Sequence, residues 1–189
     1  MAKSDLRKFD YKKVAELDAK MWRSYYNHQF LKMFVQLLKV MRTQLRLNWF
    51  YTFRLAYYSG LAATDYRLKR GHENYPRTKK NLIKFYKVIS DNCLESFNYK
   101  KVGDLELQWW DIHRYPAKHK KSLELSLAET IAVMYNSDSN GFMKYAQYRA
   151  EAMHLPNHEG DKQDNPPNWQ EIHALLLKSW KSAYRAAQK

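Results

Sequence analysis

Glycine and proline are scarce, five of each in 189 residues. Glycine weakens a helix through backbone entropy, and proline through its missing N–H. Their scarcity therefore favours long, uninterrupted helices. With so few glycines, the loops that cradle phosphate in conventional nucleotide-binding folds are set aside: no G-x-G-x-x-G, G-x-x-x-x-G-K-[ST] or G-x-S-x-G stretch occurs. Cysteine is rarer still. Cys93 stands alone, so no intrachain disulfide can form, which suits a reducing compartment. It shares an apolar stripe with Ile89, which predicts a buried, inert thiol. Long apolar runs are missing too. The longest charge-free stretch, LAYYSGLAAT (55–64), is about half of the roughly 20 residues that span a bilayer. The opening MAKSDLRKFDYKK lacks the apolar core of a signal peptide. The expectation is a soluble, cytoplasmic protein.

What is present points to helices. Apolar residues make up 45% and aromatics 15% of the chain, enough to exclude disorder and to build one domain over residues 1–189. Gly71, Pro76, Gly103, Pro116 and Gly141 fall where apolar periodicity breaks, and between the breaks the spacing is helical, with no period-2 strand. Val14, Leu17, Met21 and Tyr25 form one stripe. Phe30, Phe34, Leu37, Leu38, Met41 and Leu45 form a second, with a kink expected at SYYNH (24–28). Phe50, Phe53, Tyr57, Leu61 and Leu68 form a third. Gly60, with Ala56 and Ala63, predicts a close helix–helix contact. Shorter helices are expected over 104–115, 122–136 and 139–155, and a last one behind the Asn168/Glu171 capping pair. The fold class is all-α: a single-domain bundle of seven to eight helices. Helix 122–136, apolar nearly all round, belongs at its centre, with Glu129 drawn inward.

Several polar residues sit on apolar stripes. In ELQWWDIHRYP (106–116), Glu106 and His113 lie two helical turns apart, flanked by Trp109 and Trp110. Asp18, His28, Arg149 and His173 lie on or near stripes of their own helices. A buried Arg149 needs an acid, and Glu129, Glu106 or Asp18 can supply it. These groups suit buried ion pairs that fix helix register. They also suit a ligand pocket, with Trp109, Trp110, Glu106 and His113 as its wall, or a catalytic centre of Glu106, His113, Glu129 and Arg149. Glu106, His113 and Glu129 form a conceivable metal set, and no other cofactor is indicated. His154, His158, Glu159 and Asp161 read as a solvated connector.

Charge is uneven. Residues 1–100 hold 21 Lys/Arg against 8 Asp/Glu, whereas residues 101–189 hold 12 against 11. The densest run carries Arg67, Lys69, Arg70, Arg77, Lys79, Lys80 and Lys84. With Thr78 as N-cap, Lys79 and Lys80 would lie at a helix start and create a seat for an anion. The expected function is a non-catalytic binding or assembly module for an anionic partner, either an acidic protein or a nucleic-acid backbone, with homo-oligomerisation compatible. The alternative is a helical-bundle enzyme or a small-ligand or metal-binding protein built on the Glu/His/Arg/Trp centre.

Overall fold

The computed structural model describes residues 3–67, 71–155 and 167–189. Among them, eight α-helices and no β-strand make an all-α bundle, as the apolar spacing predicts. They are α1 (Tyr11–Tyr26), α2 (Phe30–Leu45), α3 (Trp49–Arg67), α4 (Tyr75–Asn92), α5 (Tyr99–Arg114), α6 (Leu123–Met134), α7 (Met143–His154) and α8 (Trp169–Ala187). Six starts are capped by side chains. Asp10, Asn48, Asn74, Asn98, Ser122 and Asn168 each accept a backbone N–H from the following turn, worth about 1 kcal/mol apiece over alanine. α2 has no such cap.

Consecutive helices pack on each other, and α8 returns to α1 and closes the bundle. At SYYNH the expected kink is a full reversal: His28 adopts φ 55°, and α1 and α2 pack as a hairpin. α6 packs against α5 and α7 with Leu123, Leu127, Ile131 and Met134 buried, but Leu125 on its other side is exposed, so it is not enclosed all round as its composition predicts. Glu129 departs from expectation. It stays half-buried and pairs with Lys121, because the side of α6 carrying Leu125 and Glu129 faces the rim.

The two internal glycines exchange roles. α5 begins at Tyr99, so Gly103 lies within a helix rather than at a break. There it is buried against α4, where an added Cβ would stand 3.0 Å from Ile83 Cγ1 and 3.1 Å from Ile83 N. Gly60 is exposed on α3, and an added Cβ would meet nothing within 4 Å. It costs about 1 kcal/mol of helix propensity relative to alanine, and no close packing among the described residues offsets this.

A larger correction concerns α2 and α3. Phe30, Phe34, Phe50, Phe53 and Tyr57, expected in the core, are 39–65% exposed. The apolar stripe of α2 is continuous, but only Leu38, Val40, Met41 and Leu45 on its C-terminal half are buried. α3 is apolar nearly all round. Leu55, Ala56, Ala62 and Tyr66 face the bundle, and Trp49, Phe50, Phe53 and Tyr57 face outward.

Candidate functional site

The polar residues of the bundle interior divide into two nodes. Asp18 on α1 is 1% exposed and accepts hydrogen bonds from Arg149 Nη1 on α7 and Trp180 Nε1 on α8, both at 2.8 Å. The Arg149 guanidinium lies between the rings of Trp22 and Trp180, 5.4 and 5.6 Å from their centres. Asp18 is thus the acid that Arg149 requires, and the pair ties three helices together. Glu106 forms the second node. Its Oε2 accepts from Tyr86 Oη at 2.9 Å and Trp109 Nε1 at 2.8 Å, and its Oε1 from Trp110 Nε1 at 3.0 Å. Burial raises the Glu106 pKa, while the three hydrogen bonds and the Arg149 charge work against the rise.

The tryptophans therefore point their N–H groups at the acid, which ties α4 to α5. His113, a helical turn and more beyond, stands with its ring 6.5 Å from that of His154. Of the four residues expected to share a centre, Arg149 engages Asp18, Glu129 engages Lys121, and Glu106 engages Tyr86 and the two indoles. A cleft of about 280 Å³ beside Leu105 includes Glu129, and an open one of about 800 Å³ lies among Lys8, Phe9, Arg42, Arg46 and Tyr184. Neither is lined by Glu106, Trp109 or Trp110. Among the described residues, no group of three or more His, Cys, Asp or Glu side chains gathers to hold a metal ion. His28 is exposed at the α1–α2 turn and His173 is half-buried on α8. His158, Glu159 and Asp161 lie outside the described residues.

The basic run has acids among it. Arg77 reaches Asp65 at 3.5 Å, and Lys79 reaches Asp104 at 2.8 Å. Lys84 lies over the Tyr58 ring at 5.5 Å, and Arg67 stacks on Tyr25 at 4.8 Å. Lys80 is exposed, and Lys69 and Arg70 fall outside the described residues. The predicted helix start is also displaced. α4 begins at Tyr75 under the Asn74 cap, and Thr78 is buried inside it, bonded to Asn74 O. Lys79 and Lys80 thus stand beyond the first turn, away from the N-terminal N–H groups.

A surface that the apolar stripes alone do not reveal lies on α2 and α3. Eight of the eleven large apolar side chains exposed among the described residues are here: Phe30, Leu31, Phe34, Val35, Trp49, Phe50, Phe53 and Tyr57. Leu31 is 87% exposed. Cations stack on the rings, Arg42 over Trp49 at 5.1 Å, Arg54 over Phe50 at 5.8 Å and Arg67 over Phe30 at 5.9 Å. The signal for this surface is present in the sequence as an absence. Residues 19–64 contain seven Lys/Arg and no Asp or Glu, where 19 acids spread evenly over 189 residues would place about five. Among the described residues, Lys32, Lys39, Arg42, Arg46 and Arg54 form no ion pair. No helix of the described residues is long and apolar enough to cross a membrane.

Comparison with protein-family models, curated proteins and solved structures finds no match to this chain.

Proposed function

We propose that this chain is a non-catalytic helical binding module that contacts an anionic partner through its basic N-terminal half, with the outer surface of α2 and α3 as the contact. One observation carries the reading: an exposed aromatic surface set among cations in a 46-residue stretch that holds no acid of its own. Exposed apolar patches of this kind mark contact sites, because water solvates them poorly. A half-exposed phenylalanine leaves roughly 100 Å² uncovered, and at about 25 cal/mol per Å² its burial contributes on the order of 2 kcal/mol. Tryptophan, tyrosine and arginine are also the residue types that most often dominate binding energy. The Lys79–Lys80 end of α4 fits the role less well, since Asp65 and Asp104 already offset its charge.

Retention on a sulfated polyanion, read as the salt concentration at elution, tests the assignment. Lys39→Glu combined with Arg54→Glu should move elution to distinctly lower salt, and Lys79→Glu with Lys80→Glu should move it less. Equal shifts from the two pairs, or no shift from the first, would overturn the assignment to α2 and α3. A wild-type chain that passes straight through at low salt would overturn the anion-binding reading itself.

A further inference from the structure

The outer face of α3 carries more than exposed rings. Trp49, Phe53, Tyr57, Gly60 and Thr64 follow one another at spacings of four, four, three and four, and all five are exposed. At 100° per residue they fall within one narrow stripe along the whole helix. Steps of three and four keep these positions on one face, as a helix needs to pack along another helix. The stripe changes character along its length, with bulky rings at the N-terminal end and a gap at Gly60 toward the C-terminal end, where nothing stands within 4 Å of the missing Cβ. Among the described residues, none fills the gap.

We infer that this stripe is the seat of an acidic amphipathic helix from another protein, its backbone crossing α3 at Gly60 and its carboxylates meeting Lys39, Arg42 and Arg54. The inference rests on the binding reading above and names the partner. Charge complementarity decides its sign, since residues 19–64 offer cations and no acid. A second copy of the chain would bring the same cations to the same place and repel. A bilayer or a single nucleic-acid strand could use the rings, but neither needs a helical stripe that ends in a glycine gap. A partner helix uses both, with its apolar side against Phe53 and Tyr57 and its closest approach over Gly60.

The test uses the whole chain and a synthetic helix of about three heptads, leucine at the a and d positions and glutamate on the remaining faces. Titration calorimetry should show salt-dependent micromolar binding to the wild-type chain. Phe53→Glu and Gly60→Leu should each weaken it at least about tenfold, as expected for the centre of an interface. Both positions are exposed, so the variants should keep the wild-type circular dichroism. Lys79→Glu with Lys80→Glu should bind as the wild type does. The same helix with lysine in place of glutamate should not bind. The inference is overturned if the acidic helix does not bind, if the lysine helix binds equally well, or if Phe53→Glu and Gly60→Leu leave binding intact. It is also overturned if vesicles of phosphatidylglycerol and phosphatidylcholine, or oligothymidylate, bind more tightly through the same residues. Should the acidic helix fail while polyanion retention still depends on Lys39 and Arg54, only the choice of partner is wrong. Should both fail, the binding reading falls with it.

Discussion

Alanine at the two internal glycines should change stability in opposite directions. At Gly60 the new methyl group meets nothing within 4 Å, so the helix gains its ordinary preference for alanine, about 0.5–1 kcal/mol. At Gly103 the same propensity gain is offered, but the methyl group arrives 3.0 Å from Ile83 Cγ1, 3.1 Å from Ile83 N and 3.3 Å from Ile83 Cα. Two of these contacts are backbone atoms of α4, which cannot rotate aside. Relief therefore requires α4 and α5 to separate by a few tenths of an ångström across a packed contact. Overpacking of this kind costs about 1–3 kcal/mol, and against backbone the upper part of that range applies. The net expectation for Gly103→Ala is a loss of about 1–2 kcal/mol after the propensity gain is subtracted. For a chain of this length 1 kcal/mol moves Tm by about 2–4 °C. Thermal unfolding followed by circular dichroism should thus show Gly60→Ala melting about 1–4 °C higher than the wild type and Gly103→Ala about 2–8 °C lower. The double variant should lie near their sum, since the two sites share no contact. If both alanines raise Tm, α4 and α5 do not cross as closely as described.

Removing Asp18 as Asp18→Ala strands the Arg149 guanidinium among Trp22, Trp180 and Tyr145, and should cost about 3–5 kcal/mol in denaturant unfolding; a loss under 1 kcal/mol would mean Arg149 finds water or another acid. Burial raises the Glu106 pKa above its ordinary 4.5, so between that value and the raised one the native state holds more protons than the unfolded chain. Its contribution to stability therefore declines as pH rises through that window. Glu106→Gln should abolish this decline and cost about 1–3 kcal/mol, because its amide N–H groups face indole and phenol donors. A pH profile from 4 to 7 with the same slope as the wild type would contradict the inward placement of Glu106 against Tyr86 and the two indoles. The Cys93 thiol, pushed up to about 12 by burial, should resist a disulfide reagent at pH 8 until guanidinium unfolds the chain; rapid labelling of the native state would show that it is accessible.

Much of the fold was legible because it is written in local chemistry. Asn168 with Glu171 marks the start of α8 by hydrogen bonds formed within four residues, and Pro116 ends α5 because it lacks an N–H. Glu106 and Asp18 turn inward as the stripes predict, since a polar residue at an apolar position is carried there by its neighbours. What could not be read was which stripes find a partner. Phe53 on α3 is as apolar as Phe142, yet one is half-exposed and the other fully buried. Periodicity describes one helix, whereas burial depends on whether a second helix arrives. The same limit applies to the glycines, because a missing Cβ reads alike in sequence whether a backbone fills the space, as at Gly103, or nothing does, as at Gly60. The charge balance around the basic run was hidden for a related reason. Its count of cations was correct, but Asp65 and Asp104, which offset them, come from other helices. The lack of acids over residues 19–64 is legible in the sequence, but whether acids from elsewhere reach those cations, as Glu16 reaches Lys20, is not.

Hydroxyl-radical footprinting of the free chain and of the chain saturated with the acidic helix compares the two surfaces side by side. Phe50, Phe53 and Tyr57 should be oxidised readily in the free chain and several times more slowly in the complex, while Tyr75 at the start of α4 and Leu94 keep their reactivity. Protection of Tyr75 with Phe50, Phe53 and Tyr57 unchanged would place the contact on the basic run and contradict its assignment to α2 and α3.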